Sequence, residues 1–315
     1  MIAKARGYVN IAFIKYWGKA NIEKNIPLTK SIGLTLDKFY TETKVTYDKN
    51  LKEDILYIDN VKATPNELKR VSNFMDFIRK EYNIPYYAKI DSFNYVPKKA
   101  GLSSSSSAFS ALALAATKAY QLDLPQNELS RLARYGSGSA ARSVIGGFSI
   151  WDNKDDLSSF AKSFYDLEDI SLIITMISKS PKKVSSREAM LKLGEYPRLK
   201  TKWIKKTNRY LNQITKAFIN KDYRKVGIIS EKHALLMHKV INKTGINYLT
   251  KESYEIIKLT KSLRKKGFYV YLTIDAGPNI KIITNNETAK LVYPIYEKHV
   301  ESIICKPGKG VMIID

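Results

Sequence analysis

The stretch that decides the fold is residues 97–108, which read PKKAGLSSSSSA. Gly101 lets the backbone approach a ligand closely, because glycine carries no side chain. Serines at the start of a helix expose hydroxyl and N–H groups, and the helix dipole adds partial positive charge there. The stretch therefore predicts a phosphate-binding loop that opens a helix.

Two other interpretations of this stretch explain less. A flexible serine linker would not normally run straight into the apolar helical residues 108–116. The sequence also lacks the Gly-x4-Gly-Lys-Ser/Thr spacing of a Walker P-loop. A phosphate loop of another type remains.

Hydrophobic periodicity predicts the elements on both sides of the loop. In the first half we expect strands at 6–14, 33–47, 86–93 and 144–151, and helices at 66–82, from the loop to about 120, and at 126–136. In the second half we expect strands at 170–177, 268–274 and 280–284, helices at 198–219, 222–240, 251–266 and 286–299, and two short final strands. This mixture predicts an α+β protein of two domains, residues 1–180 and 181–315, with the active site in the cleft between them.

Four further segments carry polar groups suited to phosphate chemistry. Residues 10–19, NIAFIKYWGK, place two lysines and a tyrosine next to a strand end, a set that suits a diphosphate. Residues 135–143, YGSGSAARS, combine short serines with Arg142, which can bind phosphate and carboxylate oxygens together. Residues 182–190, KKVSSREAM, would alone be a solvated charge run, and the aspartate in residues 273–279, TIDAGPN, would alone be a turn residue.

Together the five segments resemble those of the mevalonate diphosphate decarboxylases, a family within the GHMP kinase superfamily. The serine loop is similar to the ATP loop of the whole superfamily, whereas residues 10–19 resemble a signature of the decarboxylases. Kinases of the superfamily tend to have an acidic residue in the region of Arg142. The resemblance covers essentially the whole chain and implies a two-domain GHMP kinase-like fold.

The resemblance also implies an activity: ATP-dependent decarboxylation of mevalonate 5-diphosphate to isopentenyl diphosphate, through phosphorylation of the 3-hydroxyl. Asp275 is expected to orient or deprotonate that hydroxyl, and Arg142 to hold the substrate carboxylate and keep Asp275 ionised. Substrate contacts are expected from Tyr16, Lys19, Ser137, Ser139, Arg142, Ser186 and Arg187. ATP phosphates are expected on Gly101, Leu102, Ser103, Ser104, Ser105, Ser106 and Ser107, with Mg²⁺ neutralising their charge through ligands that the resemblance leaves open.

Several residues are expected to play supporting or structural parts. Lys15 is expected to support the site, Trp17 to pack, and His233 and His238 to be structural, because their spacing misses that of a helical metal pair. The chain departs from its relatives at Lys30, where they usually have a small polar residue, and at Ala141, where they often have serine.

The composition restricts the class of partner. The chain has 53 Lys and Arg against 30 Asp and Glu, a formal net charge of +23, but its lysines are spread without a basic tail. This favours phosphate-bearing small substrates over nucleic acid. The single cysteine, Cys305, excludes an internal disulfide and is expected to be buried, and no apolar run could span a membrane. We expect a cytoplasmic homodimer.

Four alternatives remain open. Within the superfamily, the chain could be a kinase that stops at 3-phosphorylation, or a decarboxylase that prefers the monophosphate. It could also be a nucleotide-binding regulatory protein on the same scaffold, or a basic RNA-binding protein.

Overall fold

The computed structural model describes residues 1–96, 104–177 and 184–315, without the side chain of Ser104. The strands in these ranges are β1 (Ile2–Ile14), β2 (Lys19–Asn21), β3 (Ile26–Pro27), β4 (Ser31–Tyr47), β5 (Ile55–Ile58), β6 (Val61–Lys62), β7 (Ala88–Asn94), β8 (Phe148–Trp151), β9 (Ala161–Tyr165), β10 (Ser171–Thr175), β11 (Val270–Ile274), β12 (Ile280–Thr284), β13 (Ser302–Cys305) and β14 (Met312–Ile314). The α-helices are α1 (Pro65–Tyr82), α2 (Ser104–Ala119), α3 (Gln126–Gly136), α4 (Ala140–Ser143), α5 (Ser186–Lys192), α6 (Pro197–Ile219), α7 (Tyr223–Asn242), α8 (Lys251–Lys265) and α9 (Asn286–Glu297).

The first sheet is organised around the two long strands β1 and β4. Its order is β14-β1-β4-β7-β5-β6, and β8 pairs with the first part of β4 and then with β9. Neighbouring strands are antiparallel except for β5 and β7. Helix α2 lies across β1 and β4, and Gly7 permits this approach, since a Cβ there would lie 2.8 Å from the backbone nitrogen of Ala111.

The second sheet has the order β11-β12-β10-β13, with all its pairs antiparallel. Helices α7 and α8 contact β11, and α9 contacts β10 and β13. One apolar cluster joins the two sheets, because it combines side chains such as Val9 and Phe13 of β1 with Leu172 of β10 and Ile283 of β12. The sheets therefore meet through a shared core.

Local sequence explains where several helices begin. Thr64 caps α1 in a capping box with Glu67, with Pro65 in the first turn, and Ser185 caps α5 in the same way with Glu188. Asp222 and Asn285 cap α7 and α9 through side-chain oxygens. These caps fix the helix starts to within a residue.

The predicted α+β two-domain fold is confirmed by its likeness to solved structures, reported below, and most predicted elements coincide with observed ones. The strand expected at 144–151 begins only at Phe148, because Gly147 adopts a left-handed φ of +59° before it. The sequence also failed to predict α4 and α5 as helices. The division at residue 180 lies outside the described residues and stays a prediction, while β14 returns to pair with β1.

Candidate active site

The site forms where β1 and β11 end side by side. Thr273 of β11 donates a hydrogen bond of 2.9 Å to the carbonyl of Ala12 in β1. Asp275 and Lys15 each follow their strand directly, and Lys15 Nζ lies 2.7 Å from Asp275 Oδ1. Lys281 of β12 places its Nζ 3.3 Å from Asp275 Oδ2. One carboxylate is therefore held by two lysines.

Electrostatics keep this carboxylate ionised. Burial alone would raise the pKa of Asp275, but the charges of Lys15 and Lys281 outweigh it and hold that pKa well below its usual range. The two lysine side chains are almost wholly buried, whereas that of Asp275 is 31% exposed. Burial lowers the pKa of Lys15 to about 8, and Asp275 opposes that shift. Asp275 thus presents a fixed negative charge at its open side.

Arg142 lies on the one-turn helix α4 and is fixed by polar groups rather than by an acid. Its Nε donates to Asn10 Oδ1 at 3.0 Å, and one terminal nitrogen donates to Ser31 Oγ at 2.5 Å. No carboxylate among the described residues forms an ion pair with it. Burial lowers its pKa to about 10, so the guanidinium remains charged at neutral pH.

This geometry changes one expectation for Arg142. Lys15 and Lys281, rather than Arg142, are the cations in ion-pair contact with Asp275, and they are foremost in lowering its pKa. Lys15, expected only in a supporting part, therefore contacts the central carboxylate directly. The charge of Arg142 is left for an anion from outside the protein.

A cavity of about 290 Å³ opens in front of these groups. It brings together most of the residues singled out in the sequence: Tyr16, Lys19, Ser105, Ser106, Ser137, Ser139, Arg142, Ser186, Arg187 and Asp275. Ser107 does not line it, because its buried hydroxyl lies 2.8 Å from Thr41 Oγ1. Gly101, Leu102 and Ser103 lie outside the described residues, and of Ser104 only the position at the start of α2 is described.

The cavity wall carries a large excess of positive charge. Among described lining residues there are five cations, Lys15, Lys19, Arg70, Arg142 and Arg187, and one acid, Asp275. Burial, with the nearby Arg187 and Arg70, lowers the pKa of Lys19 to about 8. Such a wall is complementary to a polyanion, whose charge would stabilise the protonated form of Lys19.

Two buried polar atoms in the wall have no hydrogen-bond partner in the described part of the chain, the hydroxyl of Tyr16 and Nε1 of Trp17. Buried polar groups are normally paired, so atoms of this kind at a cavity indicate where a ligand supplies the missing partner. Trp17 otherwise packs, as expected, in an apolar cluster with Trp203.

Sequence reasoning missed three residues of the site. Asn10 lay within a quoted motif but was given no part, although it holds Arg142. Lys281 carries a readable signal, since it is the one charged residue in the buried strand IKIIT. Arg70 carries no local signal, because it is one of several basic residues on α1, and only the fold brings it to the cavity.

A second cavity, of about 240 Å³, adjoins the first and shares Arg70 and Ser105 with it. Its wall is mainly apolar, with Leu56, Ile90 and Phe109, and its polar groups include those of Thr43, Glu67, Ser92 and Asn94. The start of α2 thus lies between a cationic cavity and a more apolar one.

The donor set of the cavity bears on how Mg²⁺ would be held. No cluster of three or more acidic, histidine or cysteine side chains that could hold a metal occurs within residues 1–96, 104–177 and 184–315. Mg²⁺ at nucleotide sites is commonly held by one or two carboxylates, water and the phosphates themselves. The serine hydroxyls of the cavity fit that pattern where phosphates supply the charge, whereas Asp275 is already held by two lysines.

The remaining singled-out residues lie away from the cavity wall. Lys30 forms an ion pair of 2.8 Å with Asp152, and Ala141 is buried in the core, so neither departure reaches the cavity. Cys305 is fully buried, and burial raises its pKa. In the described part of the chain no helix is long and apolar enough to cross a bilayer.

Comparison with known proteins assigns both halves of the chain. The family model described as the diphosphomevalonate decarboxylase-like N-terminal domain matches residues 7–161, and the mevalonate 5-diphosphate decarboxylase C-terminal domain matches residues 172–305. The chain is 30% identical to a diphosphomevalonate decarboxylase of Candida albicans, over 92% of this chain and 86% of that protein.

Solved structures agree. The mevalonate diphosphate decarboxylase from Staphylococcus aureus superposes with a TM-score of 0.95 at 37% identity, over 100% of this chain and 99% of the other. A structure of MDDEF in complex with MVAPP, AMPPCP and magnesium superposes with a TM-score of 0.94 at 34% identity, with the same coverage.

Proposed function

The chain belongs to the diphosphomevalonate decarboxylase family, and on that premise we propose that it uses ATP to convert mevalonate 5-diphosphate into isopentenyl diphosphate. The observation that carries this proposal is the pairing of charges in the cavity. A single ionised carboxylate, Asp275, faces a wall of cations, and Arg142 there has no acid partner in the described part of the protein.

The reaction needs a leaving group. Hydroxide leaves poorly, so the γ-phosphoryl group of ATP is first transferred to the 3-hydroxyl, and ADP is released from the bond that breaks. Phosphate then departs with the C–O electron pair and leaves a carbocation-like centre. The electrons of the bond to the carboxylate form the alkene as carbon dioxide leaves.

Asp275 acts on the 3-hydroxyl. Its carboxylate accepts a hydrogen bond from the hydroxyl and takes the proton as the new bond to phosphorus forms. A carboxylate with a lowered pKa is a weak base, but phosphoryl transfer passes through a loose transition state in which orientation and charge count most. Lys15 and Lys281 supply the orientation, because they fix both carboxylate oxygens.

Arg142 holds the carboxylate that is to be lost. Its planar guanidinium offers parallel N–H groups, and its contacts with Asn10 and Ser31 fix its plane. The substrate diphosphate lies on Lys19 and Arg187, with hydroxyls from Tyr16, Ser137, Ser139 and Ser186. Arg70 adds a further cation beside Lys19.

ATP places its phosphates at the start of α2, where Ser105 and Ser106 line the cavity. The adjoining cavity of about 240 Å³ takes the nucleoside, since it is more apolar and meets the first at Ser105 and Arg70. When bound, Mg²⁺ would lie among the phosphates, near these hydroxyls, and would neutralise phosphate charge.

The decisive experiment counts products. ATP and mevalonate 5-diphosphate are supplied, and ADP, inorganic phosphate and carbon dioxide are measured together. We expect equal amounts of the three. ADP without carbon dioxide, together with a stable 3-phosphorylated product, would establish the kinase alternative instead. A parallel assay with mevalonate 5-phosphate tests the preference, and we expect lower kcat/KM, because Lys19 and Arg187 then lose a phosphate.

Domain division, assembly and location complete the proposal. We propose domains of residues 1–180 and 181–315, with β10 of the first contributing a strand to the second sheet. We propose that the protein is a homodimer. We also propose that it lies in the cytoplasm, with which a lone cysteine that forms no internal disulfide is consistent. Light scattering should give twice the mass of the 35.9 kDa chain, and a monomer would contradict the assembly.

A further inference from the structure

Two buried histidines lie directly behind the Lys15–Asp275 pair, and the proposed reaction uses neither. His233 and His238 are both on α7, which contacts β1 and β11, and their exposed fractions are 0% and 2%. His233 Nδ1 lies 3.0 Å from the backbone nitrogen of Lys15. His238 Nε2 lies 3.0 Å from the backbone carbonyl oxygen of Asp275.

Hydrogen-bond chemistry fixes the tautomer of each ring. The backbone N–H of Lys15 can only donate, so His233 Nδ1 carries no proton and Nε2–H donates to Thr207 Oγ1 at 3.1 Å. The carbonyl of Asp275 can only accept, so His238 Nε2 carries the proton. Both rings therefore carry a proton on Nε2.

We propose that His233 and His238 are positioning residues, which set the separation of Lys15 and Asp275 by holding the backbone of each from one helix. Lys15 and Asp275 come from strands of different sheets, which the Thr273–Ala12 hydrogen bond joins but no backbone ladder holds in register. Helix α7 fixes their spacing, because its two histidines hold the backbones of both residues. This inference rests on the proposed function, because it assigns the reason for holding Asp275 to the reaction.

Burial supports the neutral state on which this arrangement depends. It lowers the pKa of His233 to about 3 and that of His238 to about 4. The charge of Lys15 lowers the pKa of His233 further, and Trp203 stacks on its ring at 4.9 Å between ring centroids. Both histidines therefore keep their hydrogen bonds across the neutral pH range.

Reciprocal amide substitutions test the proposal. The oxygen of asparagine can take the place of ring Nδ1, and the nitrogen of glutamine that of Nε2. His233→Asn and His238→Gln should therefore keep kcat within about threefold, whereas His233→Gln and His238→Asn should lose about tenfold, the scale of one net hydrogen bond. KM for both substrates should change little, because positioning acts on the transition state.

A purely structural role of His233 and His238 predicts a different result. Both amides at each position remove the same buried ring, so melting temperature would fall equally and kcat per folded molecule would not depend on which amide is present. That result would overturn the proposal. If the variants do not fold, ¹⁵N imidazole shifts of the unmodified protein decide. Both rings should carry a proton on Nε2, and His233 should carry none on Nδ1. A protonated Nδ1 in His233, or an unprotonated Nε2 in His238, would refute the hydrogen bonds.

The product assay keeps this inference separate from the proposed function. An unmodified protein that releases no carbon dioxide would contradict the function, and the ¹⁵N measurement would still test the hydrogen bonds. An unmodified protein that releases carbon dioxide, with paired amides of equal kcat, would contradict only the positioning role.

Discussion

At the scale of single residues, the charged groups of the site are arranged around Asp275. Two lysines hold the carboxylate in its ionised form, and a third cation, Arg142, is held by neutral groups. The protein thus stabilises the negative charge of Asp275 with its own lysines. The other cations of the cavity remain available to bind anionic ligands. Removing the charge of Asp275 should therefore affect turnover more than binding.

The variant Asp275→Asn keeps the shape and removes the charge. We expect kcat to fall by about 10²-fold, the scale of losing a general base, with much smaller changes in substrate affinity. Single-turnover rate and melting temperature should be measured together, because Lys15 then loses an ion-pair partner. Lys24→Gln, which breaks the peripheral ion pair of Lys24 with Asp156, is the matched control. Near-normal turnover in folded Asp275→Asn would remove this residue from the mechanism.

Lys19 should make substrate binding depend on protons. Its pKa in the free protein is lowered to about 8, so above that pH it is mainly neutral. A bound diphosphate favours the charged form and raises the pKa, so binding near pH 8.5 takes up protons. Calorimetry in buffers of different ionisation enthalpy should detect this uptake, and Lys19→Met should reduce it. Equal uptake by both proteins would assign the protons to another group.

The residues that the sequence singled out belong to contiguous motifs, and their roles stay predictions. Tyr16, Lys19, Ser137, Arg142 and Asp275 each lie in a short segment of recognisable chemistry, and the fold places all five at the cavity. Arg70 was not singled out, because its approach to Lys19 depends on the packing of α1. The part of Lys15 was underestimated, since its ion pair joins residues 260 positions apart.

At the scale of elements, the position of α2 determines where the proposed phosphate site lies. The helix lies close to β1 because Gly7 has no side chain, and a Cβ there would meet the backbone of Ser107 and Ala111. Hydrophobic periodicity predicted this helix, and capping signals explain α1 and α5. The one-turn helix α4 was not predicted, because four residues give no periodicity.

Gly7→Ala should displace α2 from β1. Overpacking of this kind costs about 1–3 kcal/mol of stability, and it moves the start of the helix that is proposed to bind ATP phosphates. We expect a lower melting temperature and a higher KM for ATP, with less effect on KM for the diphosphate substrate. Gly194→Ala is the matched control, because a Cβ at Gly194 would meet nothing within 4 Å. An unchanged KM for ATP in Gly7→Ala would separate the helix position from nucleotide binding.

At the scale of the whole molecule, the charge spread over the surface differs from the charge gathered in the cavity. The net charge of +23 is distributed over the surface, whereas five cations line one cavity. Composition alone favoured small phosphates over nucleic acid as partners, and the fold gathers cations around a carboxylate in one cavity. The overall architecture was predictable because the motifs span both halves of the chain. The spacing between the two halves could not be predicted from the sequence, because the packing of their side chains sets it.

If the five cations of the cavity attract the substrate, kcat/KM should depend on those residues and not on the total charge of the protein. The Debye length is about 10 Å at 0.1 M salt, so distant surface lysines are screened from the cavity. A triple variant of exposed Lys258, Lys261 and Lys290, each changed to Gln, should keep kcat/KM within about twofold.

The single variant Arg70→Gln should lower kcat/KM several-fold, although it removes one charge instead of three. Raising salt from about 0.05 to about 0.5 M should lower kcat/KM about tenfold with little effect on kcat, because screening weakens encounter more than the bound complex. A larger loss in the triple lysine variant than in Arg70→Gln would show that the diffuse surface charge, and not the cavity, draws the polyanionic substrate to this protein.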